Sequence, residues 1–261
     1  MTYSAVTKLI ARNLLLLAAA TASATAGGAP AAPASDGRPT APIPTEPPMP
    51  AATMAEFAAA IPACDVTRAH CYRVRIHLGT QDGAPYVSPA WLASQFEFAN
   101  QMFAPIDVSF ELHSATTIDA PAVIDGRKAR DAIAKGIKAT DAVDIFVVGA
   151  LADLDDAAFP LFGVHWRRTK QTSRRFVILS SYAWGRTMAH ELGHFFGLPH
   201  STYAISIMNK TPRLEPPLAQ RRFADEEVPI LTATRNKIEK RRELRNYRVP
   251  AAMPNGAVPR Q

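Results

Sequence analysis

The sequence predicts an α+β fold: a mixed, twisted, five-stranded sheet with packed helices. Three observations predict it. Five segments show strand character, by period-two alternation or as short apolar runs. Four segments with helical spacing are interleaved with the strands and after them, as in layered mixed folds. The chain has 261 residues, 48% hydrophobic and 20% charged, which is the balance of a folded domain rather than a disordered one.

The elements follow in order. Residues 72–78 (YRVRIHL) alternate and are rich in β-branched side chains, so they predict a strand. Residues 89–103 place Trp91, Leu92, Phe96, Ala99 and Phe103 near helical spacing, with Ser88 as N-cap and Pro89 at the first helical position. Residues 106–112 (IDVSFEL) alternate again. Residues 127–138 predict a weaker, charged helix. Residues 144–150 (DIFVVGA) are almost wholly apolar, the mark of a strand buried on both faces. Residues 161–166 and 176–179 predict two more strands, 186–196 a helix, and 225 to about 247 a long terminal helix. No internal repeat is visible.

The ends differ in composition from this domain, which spans 53–249. Residues 1–26 predict a secretory signal peptide: Lys8 and Arg12 form a basic n-region, 14–20 are apolar, and 24–26 (ATA) fit a cleavage site. The apolar run is shorter than the about 20 residues that cross a bilayer. The expected location is therefore secreted or periplasmic, with no stable membrane insertion. Residues 27–52 are rich in Ala, Pro and Thr, with eight prolines in positions 30–50. They predict an extended linker, or a pro-segment that covers a site. Residues 250–261 form a tail. The net charge of +6 is mild, and without a focused patch it does not imply nucleic acid as a partner. Two cysteines exclude a disulfide-dense mini-protein and a four-cysteine metal site.

Chemistry concentrates in residues 190–200, HELGHFFGLPH. His190 and His194 are four apart on a predicted helix, so both imidazoles leave one face and can reach one ion at about 2.0–2.1 Å. Glu191 is one position off that face, where a general base can hold a water at the metal. Gly197 permits the sharp exit that brings back His200 as third ligand. Three protein ligands leave a fourth position open, the pattern of a catalytic zinc site rather than a structural one.

Residues 206–209 (SIMN) follow, with Met208 eight residues after His200. With the histidine motif, they make residues 186–209 resemble the metzincin clan of zinc metallopeptidases, with a spacing similar to matrixin-type and bacterial secreted members. The strand order over 72–181 fits that clan's mixed sheet more loosely, and 103–110 (FAPIDVSF) resembles a helix-to-strand junction of bacterial members. The resemblance implies a zincin-like catalytic domain with one zinc ion, and Met208 as an apolar floor beneath the imidazoles. It implies hydrolysis of protein or peptide substrates by a zinc-activated water, with Glu191 moving the proton. It also implies that substrate lies extended along an edge strand, here 161–166, with Gly163 allowing close backbone approach and His165 near the cleft. The extra charged segment 127–138 has no assigned role.

Other residues have less pointed readings. His165 is a candidate extra ligand, or a packed histidine. His70, His77 and His113 have no partner at ligand spacing. Tyr203 could donate to an oxyanion, or simply pack. Phe195 and Phe196 predict core and cleft wall. Cys64 and Cys71 predict a disulfide in a secreted chain. The alternative is a thiolate on zinc as in matrixin zymogens, whose surrounding motif is absent. Of two basic clusters, 167–175 and 235–248, the second reads as a solvated helix face and the first could favour acidic substrates. The chain is expected to act as a monomer. The rival to a peptidase is a non-catalytic secreted binding module that keeps the fold and the metal, and retention of Glu191 speaks against it.

Overall fold

The computed structural model describes residues 52–157, 159–210 and 215–248. The signal, almost all of the linker and the tail lie outside the described residues. The first helix, α1 (Met54–Ala60), stands where the linker was expected to end. Its N-terminus carries a capping box between Thr53 and Glu56, which satisfies two helix-end donors at once.

Strand β1 (His70–Gln81) turns through Asp82 and Gly83, both at positive φ, into the short β2 (Ala84–Pro85). Helix α2 (Pro89–Met102) starts as expected, with the Ser88 hydroxyl accepting from the Trp91 N–H. Strand β3 (Val108–Ile118) starts later and ends later than its alternation predicts. Ala104–Ile106 form a 3-10 turn, and Asp107 takes a left-handed conformation before the strand begins. Next come β4 (Val123–Ile124), α3 (Arg127–Ala132), β5 (Val143–Val148), β6 (Ala150–Ala152), β7 (Pro160–Leu161), β8 (Gly163–Arg168) and β9 (Gln171–Ser180). Helices α4 (Thr187–Phe195) and α5 (Val228–Lys240) complete the order.

The main sheet runs β3–β1–β5–β9–β8, with β2 hairpinned on the end of β1. Pairings β3–β1, β1–β5 and β5–β9 are parallel, and β8 lies antiparallel on β9 as the edge. The mixed five-stranded sheet is therefore present, with a second small sheet β4–β6–β7 that the sequence reading missed. Its strands have two or three residues each, too short for any period to register.

Three expected elements are shortened for local reasons. The 127–138 helix stops at Ala132, and Gly136 then takes φ of 81°. The terminal helix starts at Val228 with Pro229 in its first turn, and Arg242 at positive φ ends it. The 144–150 strand leaves the sheet at Gly149, where a Cβ would lie 2.7 Å from the Ala122 carbonyl oxygen.

β5 is buried along its whole length, and its side chains alternate between two apolar layers. Val143, Ile145 and Val147 join the larger layer with α2, α4 and α5, while Phe146 and Val148 join the smaller one with Trp166 and Phe176. Asp144 interrupts the smaller layer. It is buried and pairs with Arg75 at 2.6 Å, Arg174 at 2.8 Å and His77 at 3.0 Å. Arg75 and Arg174 also donate to the carbonyls of Lys138 and Ile137, so this cluster fastens segment 133–138 to the sheet. Among the described residues, no helix is long and apolar enough to cross a membrane.

Candidate metal centre

Helix α4 lies against the edge strand β8 and carries His190, Glu191 and His194. Its start is held from α2. The buried Gln95 accepts from the Met188 N–H at 3.0 Å and donates to the Trp184 carbonyl at 2.7 Å. Its end is set by Gly197 at φ of 94°, with the Leu198 N–H closing on the Gly193 carbonyl at 2.9 Å. A Cβ at Gly197 would also lie 2.7 Å from the Thr234 hydroxyl of α5, so glycine is required there on two counts.

That exit brings His200 to the other two imidazoles. Ligating nitrogens of His190, His194 and His200 all lie within 4.8 Å of one another. His194 Nε2 and His200 Nε2 are 3.3 Å apart. Tetrahedral zinc with Zn–N of about 2.0–2.1 Å requires nitrogen–nitrogen edges of about 3.4 Å. The donor set fits a single zinc ion.

The far ring nitrogens are oriented by the backbone. His190 Nδ1 donates to the Ile207 carbonyl and His194 Nδ1 to the Leu198 carbonyl, each at 2.7 Å. Because carbonyls only accept, the proton sits on Nδ1 and the Nε2 lone pair faces the centre. Burial lowers the His190 pKa to about 4 and also lowers those of His194 and His200, so all three rings are neutral near pH 7.

Glu191 is buried beside this triad. Burial pushes its carboxyl up to about 8, opposed by the backbone N–H of His165 and then by the Arg130 charge. A cation held by the imidazoles favours the carboxylate form. Gly163 makes the room: a Cβ there would lie 2.9 Å from Glu191 Cγ and 2.8 Å from Thr187 Cγ2. The close approach at Gly163 is thus made by α4, where the sequence reading expected the substrate backbone.

Met208 is fully buried, and a Cβ on Gly193 would lie 2.5 Å from its Sδ. The Ser201 N–H donates to the Met208 carbonyl, which ties the residue after His200 to this turn. The turn itself is held by a residue that sequence reasoning missed. Ser206 Oγ donates to the buried Glu227 at 2.8 Å and accepts from the Met208 N–H at 2.9 Å. Nothing local marks Glu227, which is 21 positions from Ser206. Gln95 did leave a signal, as a polar residue inside the apolar stripe of α2.

His165 lies on β8 with its ring against Phe195 at 5.7 Å, outside the metal-ligand cluster. Burial, and then the charges of Arg167 and Arg175, lower its pKa to about 3. Tyr203 is exposed, and its carbonyl accepts from the Ser206 N–H and the Asn209 side chain. His70 bonds Glu239 and His77 bonds Asp144. Phe196 packs with Tyr72, Phe103 and Phe110 in the core. Cys64 and Cys71 form a disulfide, so neither offers a thiolate to zinc.

No family model and no curated protein sequence matches the chain. Among solved structures it is similar to mirolysin in complex with a compound, at 18% identity and a TM-score of 0.39, covering 51% of this chain and 65% of that one. It is similar to metalloproteinase-II from Bacteroides fragilis at 13% identity and 0.43, covering 65% and 54%. It is similar to archaemetzincin from Methanopyrus kandleri at 15% identity and 0.45, covering 66% and 99%. The chain thus spans less than two thirds of the first two.

Proposed function

We propose that the protein is a secreted zinc endopeptidase that hydrolyses peptide bonds with Glu191 as general base. The observation that supports this most is a buried carboxylate beside three converging, backbone-oriented imidazoles. His190, His194 and His200 would hold the zinc. When bound, zinc supplies Lewis-acid activation of water and of the scissile carbonyl.

The chain's own residues do the rest. Glu191 accepts the proton of the attacking water on its carboxylate and delivers it to the leaving amine nitrogen. The backbone N–H of His165 and the bare Gly163 fix where that carboxylate sits. Among the described residues the edge strand β8 pairs on one side only, and an extended peptide can add on the other through main-chain hydrogen bonds. A buried base is not needed for holding a metal, so its presence favours catalysis over a pure binding module.

The test is Glu191→Gln, with zinc content measured on the same preparations. Glutamine keeps the size and removes the proton acceptor. Peptide cleavage should fall by about 10²-fold or more, mainly in kcat, with zinc retained. A zinc-loaded variant cleaving at the parent rate overturns the assignment of the base. A zinc-loaded parent that cleaves no peptide in broad libraries overturns the peptidase reading.

A further inference from the structure

The two walls of the proposed cleft start at the same end. Gly163 opens β8, and its nearest neighbours across the gap are Thr187 and Glu191 of the first turns of α4. Just before each wall stands an exposed aromatic residue. Phe162 precedes β8 and is 43% exposed; Trp184 precedes α4 and is 61% exposed. Their rings lie 5.5 Å apart, tilted by 49°.

These rings are held out on fastened backbone. The Phe162 carbonyl accepts from the Ser180 N–H at 2.9 Å. The Trp184 carbonyl accepts from Gln95 Nε2 at 2.7 Å and from the Thr187 N–H at 2.9 Å. The preceding Ala183 is buried, and its carbonyl accepts from Trp91 Nε1. The following Gly185 sits so close to Phe98 that a Cβ would meet its ring at 2.5 Å. Apolar surface exposed on a rigid frame at the mouth of a cleft is the form that ligand-contacting surface takes.

The distance to the chemistry is short. Phe162 is joined to Gly163, whose Cβ position lies 2.9 Å from Glu191 Cγ, and consecutive Cα atoms are about 3.8 Å apart. An extended peptide covers about 3.3 Å per residue, so the rings lie two or three substrate residues from the centre.

We propose that Phe162 and Trp184 form an aromatic subsite at this mouth of the cleft. It takes a large apolar side chain, aromatic best, of an extended peptide two or three residues from the bond that is cut. The proposal rests on the endopeptidase reading for its substrate. Ring contact and shielding of apolar surface together set a preference of about tenfold over alanine.

Two measurements test it. In the first, the zinc-loaded protein is given peptides with Phe or Ala scanned over three positions on each side of the cleaved bond. Phe at one position two or three residues away should raise kcat/KM about tenfold. The Phe162→Ala/Trp184→Ala double variant should lose that preference, with the ratio of kcat/KM for Phe over Ala peptides falling to about one. Cleavage without such a preference, or a preference that survives the double variant, overturns the subsite. Should the double variant fail to fold, the single variants Phe162→Ser and Trp184→Ser must each lower the preference.

In the second, Glu191→Gln protein is titrated with the same peptides and read by tryptophan fluorescence, with Trp184→Phe added as reference. Phe peptides should bind about tenfold tighter than Ala peptides, and the signal should vanish in the reference. If the parent cleaves nothing but this binding difference holds, the catalytic reading falls and the subsite stands. Equal binding of both peptides overturns the subsite. So does an intact peptide preference in a double variant that has only lost co-sedimentation with phosphatidylcholine vesicles, which would make the rings a lipid contact.

Discussion

A Cβ placed on Gly193 would lie 2.5 Å from the Sδ of Met208 and 3.1 Å from Phe223 Cε1. The glycine in the middle of α4 is therefore where the methionine turn docks under the helix. Alanine at a helix interior normally gains about 0.5–1 kcal/mol over glycine. Here overpacking of a buried contact costs about 1–3 kcal/mol, and it wins. Gly193→Ala should lower stability by about 1–2 kcal/mol in urea denaturation. It should also weaken zinc binding, because the same turn supplies the Ile207 carbonyl that orients His190. An alanine variant more stable than the parent would show that Met208 moves aside freely.

His200 is the exposed member of the triad, reached only through the Gly197 exit. His200→Ala should leave the metal-free fold within about 0.5 kcal/mol of the parent. The difference should appear on adding zinc. A ligand at a thousandfold excess over its Kd stabilises by about 4 kcal/mol, so the parent should gain a large rise in Tm and the variant little of it. Chelator should abolish the parent's gain. Equal zinc-induced shifts in both proteins would remove His200 from the ligand set.

Glu227 supports the same turn from further away. It accepts from Ser206 Oγ and from the Ala224 N–H at 2.7 Å, all in the interior. Glu227→Ala strands a buried hydroxyl and a buried N–H, each costing about 1–3 kcal/mol. The variant should lose about 2–4 kcal/mol by denaturant titration, with Ser206→Ala losing less. A neutral Glu227→Ala would mean that water replaces the carboxylate without strain.

Legibility followed the range of the interactions. The histidine motif could be read because helical spacing places His190, His194 and Glu191, and one glycine turns the chain. The strand β5 could be read because burial on both faces writes a continuous apolar run. Strand β9 is legible only at 176–179, because its first half (QTSRR) carries no apolar residue and so no alternation to register. Helix α1 was hidden by an alanine-rich composition continuous with the linker. Glu227, Gly163 against Glu191, and the Asp144 cluster were invisible because each is a contact between distant elements, which no local period records.

His165 offers a pH signature. Burial holds its folded pKa near about 3, well below its ordinary 6.5. Between those values the unfolded chain binds a proton that the folded chain does not. Stability from this residue is thus intact above pH 6.5 and falls as pH drops toward 3, by up to about 1.4 kcal/mol per pH unit. His165→Gln removes that dependence. Compared at pH 7 and pH 4.5, the variant should lose less stability than the parent. Parallel loss in both would show that the imidazole protonates freely in the folded state.

The disulfide should matter for stability and not for the site. Cys64 and Cys71 are seven positions apart, and a bridge over so short a loop contributes about 2–3 kcal/mol in the chain-entropy account. The bridge also anchors segment 246–248. Tyr247 N–H donates to the Cys71 carbonyl, Cys71 N–H donates to Asn246 Oδ1, and Arg248 donates to the Cys64 carbonyl. Cys71 stands at the start of β1, and β5 and β9 separate that strand from β8. Three strand spacings of about 4.8 Å put it about 14 Å from the cleft wall. The Cys64→Ser/Cys71→Ser double variant should therefore unfold at lower urea, with a loss of about 2–3 kcal/mol, while zinc content and peptide cleavage at 25 °C stay at the parent level. A variant with unchanged urea midpoint would show that segment 246–248 holds the loop without the covalent bond. Lost zinc at unchanged stability would place the cysteines in the metal centre and overturn their separation from it.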